Sequence, residues 1–553
     1  MSLQAETQHS KTRRKRTAAP PPDRLTLCYQ LAELPSAQHR AGLAGLVLMA
    51  RYLERIPGPA EGTFRLSHVD RTGATVEVDA AGLARVFDEL YAASVQEVES
   101  SRPPKEQDTP PKREEVRQER DAQGNLQLKK VYIYETVVPR GGMLVDWTPD
   151  RSDRSPWMKL WRDMLFGVVH GLAKQRGPFN ARSQGKQTSD AQQVWAQLTQ
   201  SGDPSVEQAS TYLLGAQAST AENVPFRDRA RYHLLLRFWP YVAQIYVPRV
   251  PRPQDSGTDL VGYVLAVPDV ADLEEFCQVL PLVLQARSSE MLSYRPRDCV
   301  IDLVEEGALD LAHRLRRVHK ELREREGSRL TAELVLGFDV FYLNKEGNNI
   351  RLLSSQRIEP EETLLRAYER CRSLQDPIFR RQVLRNLLDG HPWYWGFDGL
   401  ARQYPHTKLI GTRNFRSDAR NMFEMHMEEP MEQQKGPRGA TSLEALVYRI
   451  VQTYVREKLR SKYGLAWDSE RMVKGSEERN EFSEKKEKIA REAFLAVRAR
   501  TGADFVDYFS GTLCSVRQFL PEADYALLAA VLRDPARVDE LRTLTLLALS
   551  AAS

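Results

Sequence analysis

Apolar and polar positions change their period several times along the chain. From Leu25 to Leu53 the pattern is largely apolar and helix-like, interrupted at Pro35. Thr63 to Asp79 alternates about Arg71-Thr72-Gly73, which predicts a hairpin, and Ala81 to Val95 predicts a helix. Ser100 to Gln127 is charged, carries Pro103-Pro104 and Pro110-Pro111, and has almost no large apolar residue; it reads as a flexible insert. Strand character returns at Val131 to Trp147. Trp157 to Ala173 predicts an amphipathic helix running into a basic, glycine-containing loop, Lys174 to Lys186. Tyr232 to Val250 is aromatic and β-branched, Val261 to Val267 is a short strand, and Leu273 to Gln285 is helical with Pro281 as a kink or break. Ala308 to Arg325 predicts a charged helix, and Leu334 to Leu353 a hairpin turning at Asn344 to Asn349. Glu361 to Leu388 is helical, with Pro377 as its break point.

A boundary falls near Met431 to Ala440, where Pro430, Pro437 and two glycines gather. Beyond it Leu443, Leu446, Val447, Ile450, Tyr454 and Val455 form one helical stripe, and later segments repeat the habit. The expected class is therefore α+β: a large mixed body with β-hairpins and helices, followed by an all-α C-terminal bundle. The expected divisions are a disordered basic tail over 1–22, a body over 23–435 with its insert at about 100–127, and the bundle over 436–553.

The 553 residues exceed one ordinary core, and 41% apolar content suffices for several. Net charge is only +4, so clustering of the 79 basic residues matters more than their number. Five cysteines without a C-x-x-C pair suit a reducing compartment and argue against disulfides or structural zinc. The polar start, with Lys11-Thr12-Arg13-Arg14-Lys15-Arg16, has no secretory h-region, and no apolar run reaches the length of a membrane span. A cytoplasmic protein with no membrane partner is expected.

Catalytic signatures do not occur: there is no phosphate loop, no G-x-G-x-x-G, no H-E-x-x-H and no G-x-S-x-G. The ten histidines are scattered. Asp302, Glu306 and Asp310 would share one helix face, as carboxylates of a metal-dependent nuclease do. The favoured reading is a solvated face with Asp310 paired to Arg314. A non-enzyme without cofactor or metal is expected.

Basic side chains instead gather beside glycines and aromatics. Lys174, Arg176, Arg182 and Lys186 accompany Gly177, Gly185, Asn180 and Gln187. Such a loop can approach phosphate closely and offer amides to base edges, although an ordinary exposed loop has the same composition. Arg316, Lys320 and Arg323 share a helix face that can track a phosphate backbone or pair with the interleaved glutamates. Further clusters hold Arg366, Arg370, Arg372, Arg380, Arg381 and Arg385, then Arg402, Lys408, Arg413, Arg416 and Arg420. The last follows His391-Pro392-Trp393-Tyr394-Trp395-Gly396-Phe397, whose aromatics suit either a core or stacking on single strands; core is the expectation for both tryptophans.

Four stretches carry a resemblance. They are Leu34 to Leu46, Ala230 to Arg249 with Phe238-Trp239-Pro240, Arg295-Pro296-Arg297-Asp298 through Gly307, and Pro392-Trp393 with Gly396-Phe397-Asp398. Over roughly 25–420 the chain resembles the large subunit of type I CRISPR effector complexes (Cascade), in the Myxococcus-type subtype branch. The resemblance implies a mostly non-catalytic subunit beside the one that holds the guide RNA (crRNA) handle. It implies inspection of duplex DNA for a short flanking motif, help in forming the R-loop, contact with Cascade backbone subunits, and recruitment of a helicase-nuclease or of transposition proteins. Within it, Asn180 and Gln187 would meet base edges, Lys186 a phosphate, and the arginine helices the backbone. Met425, Met427 or Met431 would be an internal start for a separate small subunit, or else all three are simply linker or packing residues. Two other readings compete: a divergent nuclease around Asp302 to Asp310, and a scaffold that touches only protein.

Overall fold

Ser36 opens the first long helix. Its side chain accepts from the His39 amide, and its backbone is extended, as an N-cap requires. The computed structural model describes residues 22–56, 62–101, 110–120, 126–167, 176–187, 189–208, 213–215, 226–252, 257–327, 333–346, 349–428, 442–467, 477–519 and 521–553. They divide into two units: residues up to 243 with 268–285 and 332–335, and residues 244–267, 286–331 and 336–553. The expected basic tail, apart from Pro22, lies outside the described residues, as do Lys174 and Met431.

In the first unit β1 (Arg24–Gln30), β2 (Phe64–Val69) and β3 (Gly73–Asp79) form an antiparallel sheet in the order β1-β3-β2. The helix-like reading therefore holds only after Pro35: α1 spans Ala37–Arg55, whereas β1 is a strand. Cross-strand pairing with β3 decides the conformation of a run whose apolar spacing alone is ambiguous. Glycines in α1 permit a close crossing. A Cβ on Gly42 would stand 2.3 Å from the Leu235 carbonyl oxygen, and one on Gly45 2.5 Å from that of Phe238.

α2 (Ala80–Leu90) follows the hairpin. Then β4 (Ala93–Ser100), β5 (Arg113–Arg120) and β6 (Leu126–Pro139) form a second antiparallel sheet, β4-β6-β5. The expected flexible insert thus contributes a strand. Its charges pair across the sheet, Arg113 with Glu97 at 2.9 Å and Arg117 with Glu99 at 2.8 Å. Val98, Val116 and Leu128 are exposed in the same sheet. The unit continues through α3 (Gly142–Val145), α4 (Pro156–Gly167), α5 (Arg176–Ser183), α6 (Asp190–Leu198), the β7–β8 pair (Ser205–Gln208, Phe226–Arg229), α7 (Ala230–Leu235) and α8 (Leu273–Gln285). Pro281 lies inside α8 without ending it.

The second unit is built on a six-stranded sheet. Its strands are β9 (Gln244–Pro251), β10 (Thr258–Leu260), β11 (Tyr263–Val270), β14 (Val300–Ile301), β15 (Val335–Glu346) and β16 (Asn349–Ile358); β12 (Met291–Leu292) and β13 (Arg295–Pro296) make a small hairpin. The sheet runs β10-β9-β11-β15-β16, with β14 parallel on β9. Helices α9 (Glu306–Arg325), α10 (Glu362–Cys371), α11 (Pro377–Leu388), α12 (Phe397–Gln403) and α13 (Arg413–Glu428) follow. Pro377 is the break that was read from sequence: it opens α11, and the Asp376 side chain caps its first amides.

The remainder is helical: α14 (Leu443–Tyr463), α15 (Glu477–Arg498), α16 (Gly502–Gly511), α17 (Glu522–Arg533) and α18 (Pro535–Ala552). α18 is the axis. From Leu541 to Ala552 every residue is buried, and α12 to α17 all pack against it. A helix that is apolar all round belongs inside a protein. Its one interior cation, Arg542, donates to the Arg500 and Arg498 carbonyls at 2.7 and 3.2 Å, where α15 ends. Among the described residues no helix is long and apolar enough to cross a membrane.

Candidate nucleic-acid interface

The basic loop read over Lys174 to Lys186 is half helix. Arg176 starts α5, and the chain leaves it through Gly185, whose φ of 75° lies in the left-handed region. The Lys186 amide returns to the Ala181 carbonyl at 2.9 Å. Arg182 is a strut rather than a free cation. It pairs with Asp88 at 3.1 Å and donates to the Lys186 carbonyl at 3.3 Å. Asn180, Lys186 and Gln187 are exposed, and the Lys186 amine has no ion-pair partner among the described residues.

On α9 the glutamates claim the cationic stripe. Arg316 pairs with Glu362 at 2.7 Å, Lys320 with Glu324 at 3.8 Å and Arg323 with Glu326 at 3.0 Å. These exposed pairs hold little energy and can exchange for phosphate.

The acidic cluster is an interior ion network. Asp302 precedes α9 instead of sharing its face, and its amide donates to Glu306 at 2.7 Å. Arg249 grips the Asp302 carboxylate with two bonds of 2.8 Å. Arg380 spans Asp302 and Glu306, and Tyr368 donates to Glu306 at 3.1 Å. Asp310 accepts from Arg314 at 2.7 Å, the pairing favoured from sequence. Burial alone would raise the Asp302 carboxyl, but the bonds and charges of Arg249 and Arg380 outweigh it and hold it low. Burial would likewise lower Arg380, and the two carboxylates push it well above the usual arginine range. Carboxylates neutralised in this way are not disposed to hold a metal, and among the described residues no group of three or more His, Cys, Asp or Glu is. Arg380, expected to face nucleic acid, faces the interior.

Its neighbour does not. Arg381 is half-buried and Arg385 exposed, one turn apart on α11, and neither has an ion-pair partner among the described residues. They line a cleft of about 550 Å³ with Tyr342, Gln356, Leu388 and Asp389. The two tryptophans also part. Trp393 is buried edge-on against Phe423, as expected, while Trp395 is 55% exposed and stacked on His391 at 5.3 Å. Sequence could not separate them, because the loop that turns one inward and one outward is set by Asn386. That side chain donates to the Trp393 and Trp395 carbonyls at 2.7 and 2.8 Å.

On α13 Arg413 is exposed, whereas Arg416 pairs with Glu487 at 2.6 Å. Arg420 donates to the Ala551 carbonyl at the end of α18. The residues named from sequence divide between the two units. Asn180, Arg182, Lys186 and Gln187 belong to the first unit, and Arg316, Lys320, Arg323, Arg381, Arg413 and Arg416 to the second.

Comparison with protein families places the chain, not the individual residues. Residues 63–325 match the Type I-B CRISPR Cas8b N-terminal domain, and residues 335–552 match the Type I-B CRISPR Cas8b C-terminal domain. The chain belongs to the type I CRISPR large subunits. The two matches meet between α9 and β15, and the second carries the C-terminal helices as part of the family rather than as an appendage. No curated protein matches the chain. The large-subunit assignment implies contact with other Cascade components.

Proposed function

We propose that this large subunit is a non-catalytic reader of duplex DNA within a guide-RNA complex. It inspects the flanking motif, helps open the duplex into an R-loop, and presents a surface for the helicase-nuclease or transposition proteins that act next. The observation that carries the reading is the turn after α5. Arg182 braces it against Asp88, and the Lys186 amine and the Gln187 side-chain amide have no partner among the described residues. A braced backbone with a free amine and a free amide suits one phosphate contact and one base-edge contact. The paired α9 stripe and the exposed Arg413 would add backbone contacts.

The Myxococcus-type branch remains part of this proposal, since the matched domains are described as type I-B. So do the cytoplasmic location and the separate small subunit. A product begun at Met425 or Met427 would carry α14 to α18 but leave most of α13 behind, and α13 packs on α18. Such a product would need another surface in its place.

The test is duplex binding by the assembled guide complex at two salt concentrations, with varied flanks. Lys186→Ala should reduce the salt slope by about 1, and Gln187→Ala should flatten flank preference. Unchanged affinity and unchanged preference in both variants would remove the site.

A further inference from the structure

The β4-β6-β5 sheet turns an apolar stripe toward water. Its register sets Val98 opposite Tyr134 and Val116 opposite Lys130, so Val98, Val116, Leu126 and Leu128 share one face. They are 47%, 63%, 64% and 72% exposed. β4 ends at Ser100, opposite Tyr132, and from there outward the sheet narrows to β5 and β6 alone. A two-stranded ribbon with an uncovered apolar face is marginal in water. β5 is also an edge, since among the described residues it pairs with β6 only. Its outer backbone groups are a template for one more strand.

The charges say what kind of strand would fit. β4, β5 and β6 together hold five basic and six acidic residues, a balance that offers nothing to a polyanion. Arg113 and Arg117 are committed to Glu97, Glu99 and Glu115, and Lys130 to Glu114. A second copy of the chain fits poorly as well. Antiparallel pairing of β5 with itself over its full length sets Arg113 against Arg120 and Glu114 against Glu119, and like charges directly opposite destabilise a sheet. What fits is an extended segment of a different protein, near neutral, with apolar side chains on the Val116 side. Membership of the family places such proteins beside this chain, as the other Cascade components.

We propose that β5 docks a neighbouring protein subunit of the guide complex by strand addition. Its free edge pairs with an extended segment of that subunit, and apolar side chains around that segment cover Val116, Leu126 and Leu128. The inference rests on the family assignment and not on the α5 turn.

The experiment follows hydrogen exchange of the β5 amides, Arg113 to Arg120, in the free full-length chain, in the assembled guide complex, and in that complex with duplex DNA. Assembly should slow exchange there at least about tenfold before DNA is added. Val116→Lys with Leu128→Lys should leave melting of the free chain unchanged. The same double variant should bind the guide complex lacking its large subunit at least about tenfold more weakly. β5 exchange left unchanged by assembly overturns the proposal on the parent chain alone, whatever the variant does. Unaltered association of a folded double variant overturns it too. Slowing that appears in the free chain as its concentration rises assigns the edge to a second copy, and slowing that needs DNA assigns it to nucleic acid; either result overturns it. Lys186→Ala should change neither readout, which keeps this test separate from that of the α5 turn.

Discussion

Arg380 and Arg381 are adjacent on α11 and belong to different environments. The inward face of the helix ends in a closed network, where Arg380, Arg249, Asp302, Glu306 and Tyr368 satisfy one another. The outward face carries Arg381 and Arg385 into a cleft that Asp302, Glu305 and Asp389 also line, yet among the described residues no carboxylate pairs with either. The difference teaches that arginine count is a poor guide to binding. What separates structural from available cations is whether a carboxylate elsewhere in the fold reaches them.

The largest effect expected from breaking this contrast is Arg380→Ala, which leaves the buried Glu306 carboxylate without its cation and Asp302 with Arg249 alone. It should cost about 3–5 kcal/mol in denaturant unfolding. Arg381→Ala should stay within about 0.5 kcal/mol in the same measurement. Equal losses in the two would collapse the distinction.

An intermediate effect comes from Asp418, beneath the start of α11. One of its oxygens accepts from the Gln375 and Asp376 amides at 2.8 and 2.7 Å. Burial lifts its carboxyl to about 6, and those two bonds only partly offset the lift. A carboxyl raised on folding binds protons more tightly in the native chain. Its stability contribution is therefore lost as pH rises through about 6, and is regained toward the ordinary carboxylate range. Asp418→Asn keeps an oxygen for both amides and removes the charge. It should be more stable than the parent at pH 7 by up to about 3 kcal/mol, with the gap closing near pH 4. A gap that widens on acidification would reverse the sign. The smallest expected effect is Arg413→Ala, which should leave unfolding unchanged and only make duplex binding slightly less salt-dependent.

Much of the fold was legible where the period was long and local. The α14 stripe, the hairpin about Arg71 to Gly73, the β15–β16 hairpin and the break at Pro377 all follow from neighbours in sequence. The errors arose where distant partners decide. β1 is a strand because β3, some fifty residues on, pairs with it. The charged run at Arg113 to Arg120 is a strand because β6 pairs with it along its whole length, its arginines reaching glutamates of β4 beyond. Arg380 is interior because Asp302, 78 positions away, completes it. Trp395 is missed as a surface residue because its position depends on hydrogen bonds from Asn386. A donor seven to nine residues away leaves no periodic trace.

The placement of α18 sets an order of events during synthesis. Domains form as units while the chain emerges from the ribosome, and α18 is made after every helix it packs against. Until it appears, α12 to α17 surround a space with no filler, and Arg542 has not reached the carbonyls that end α15. The helical region can therefore complete its core only once α18 has emerged.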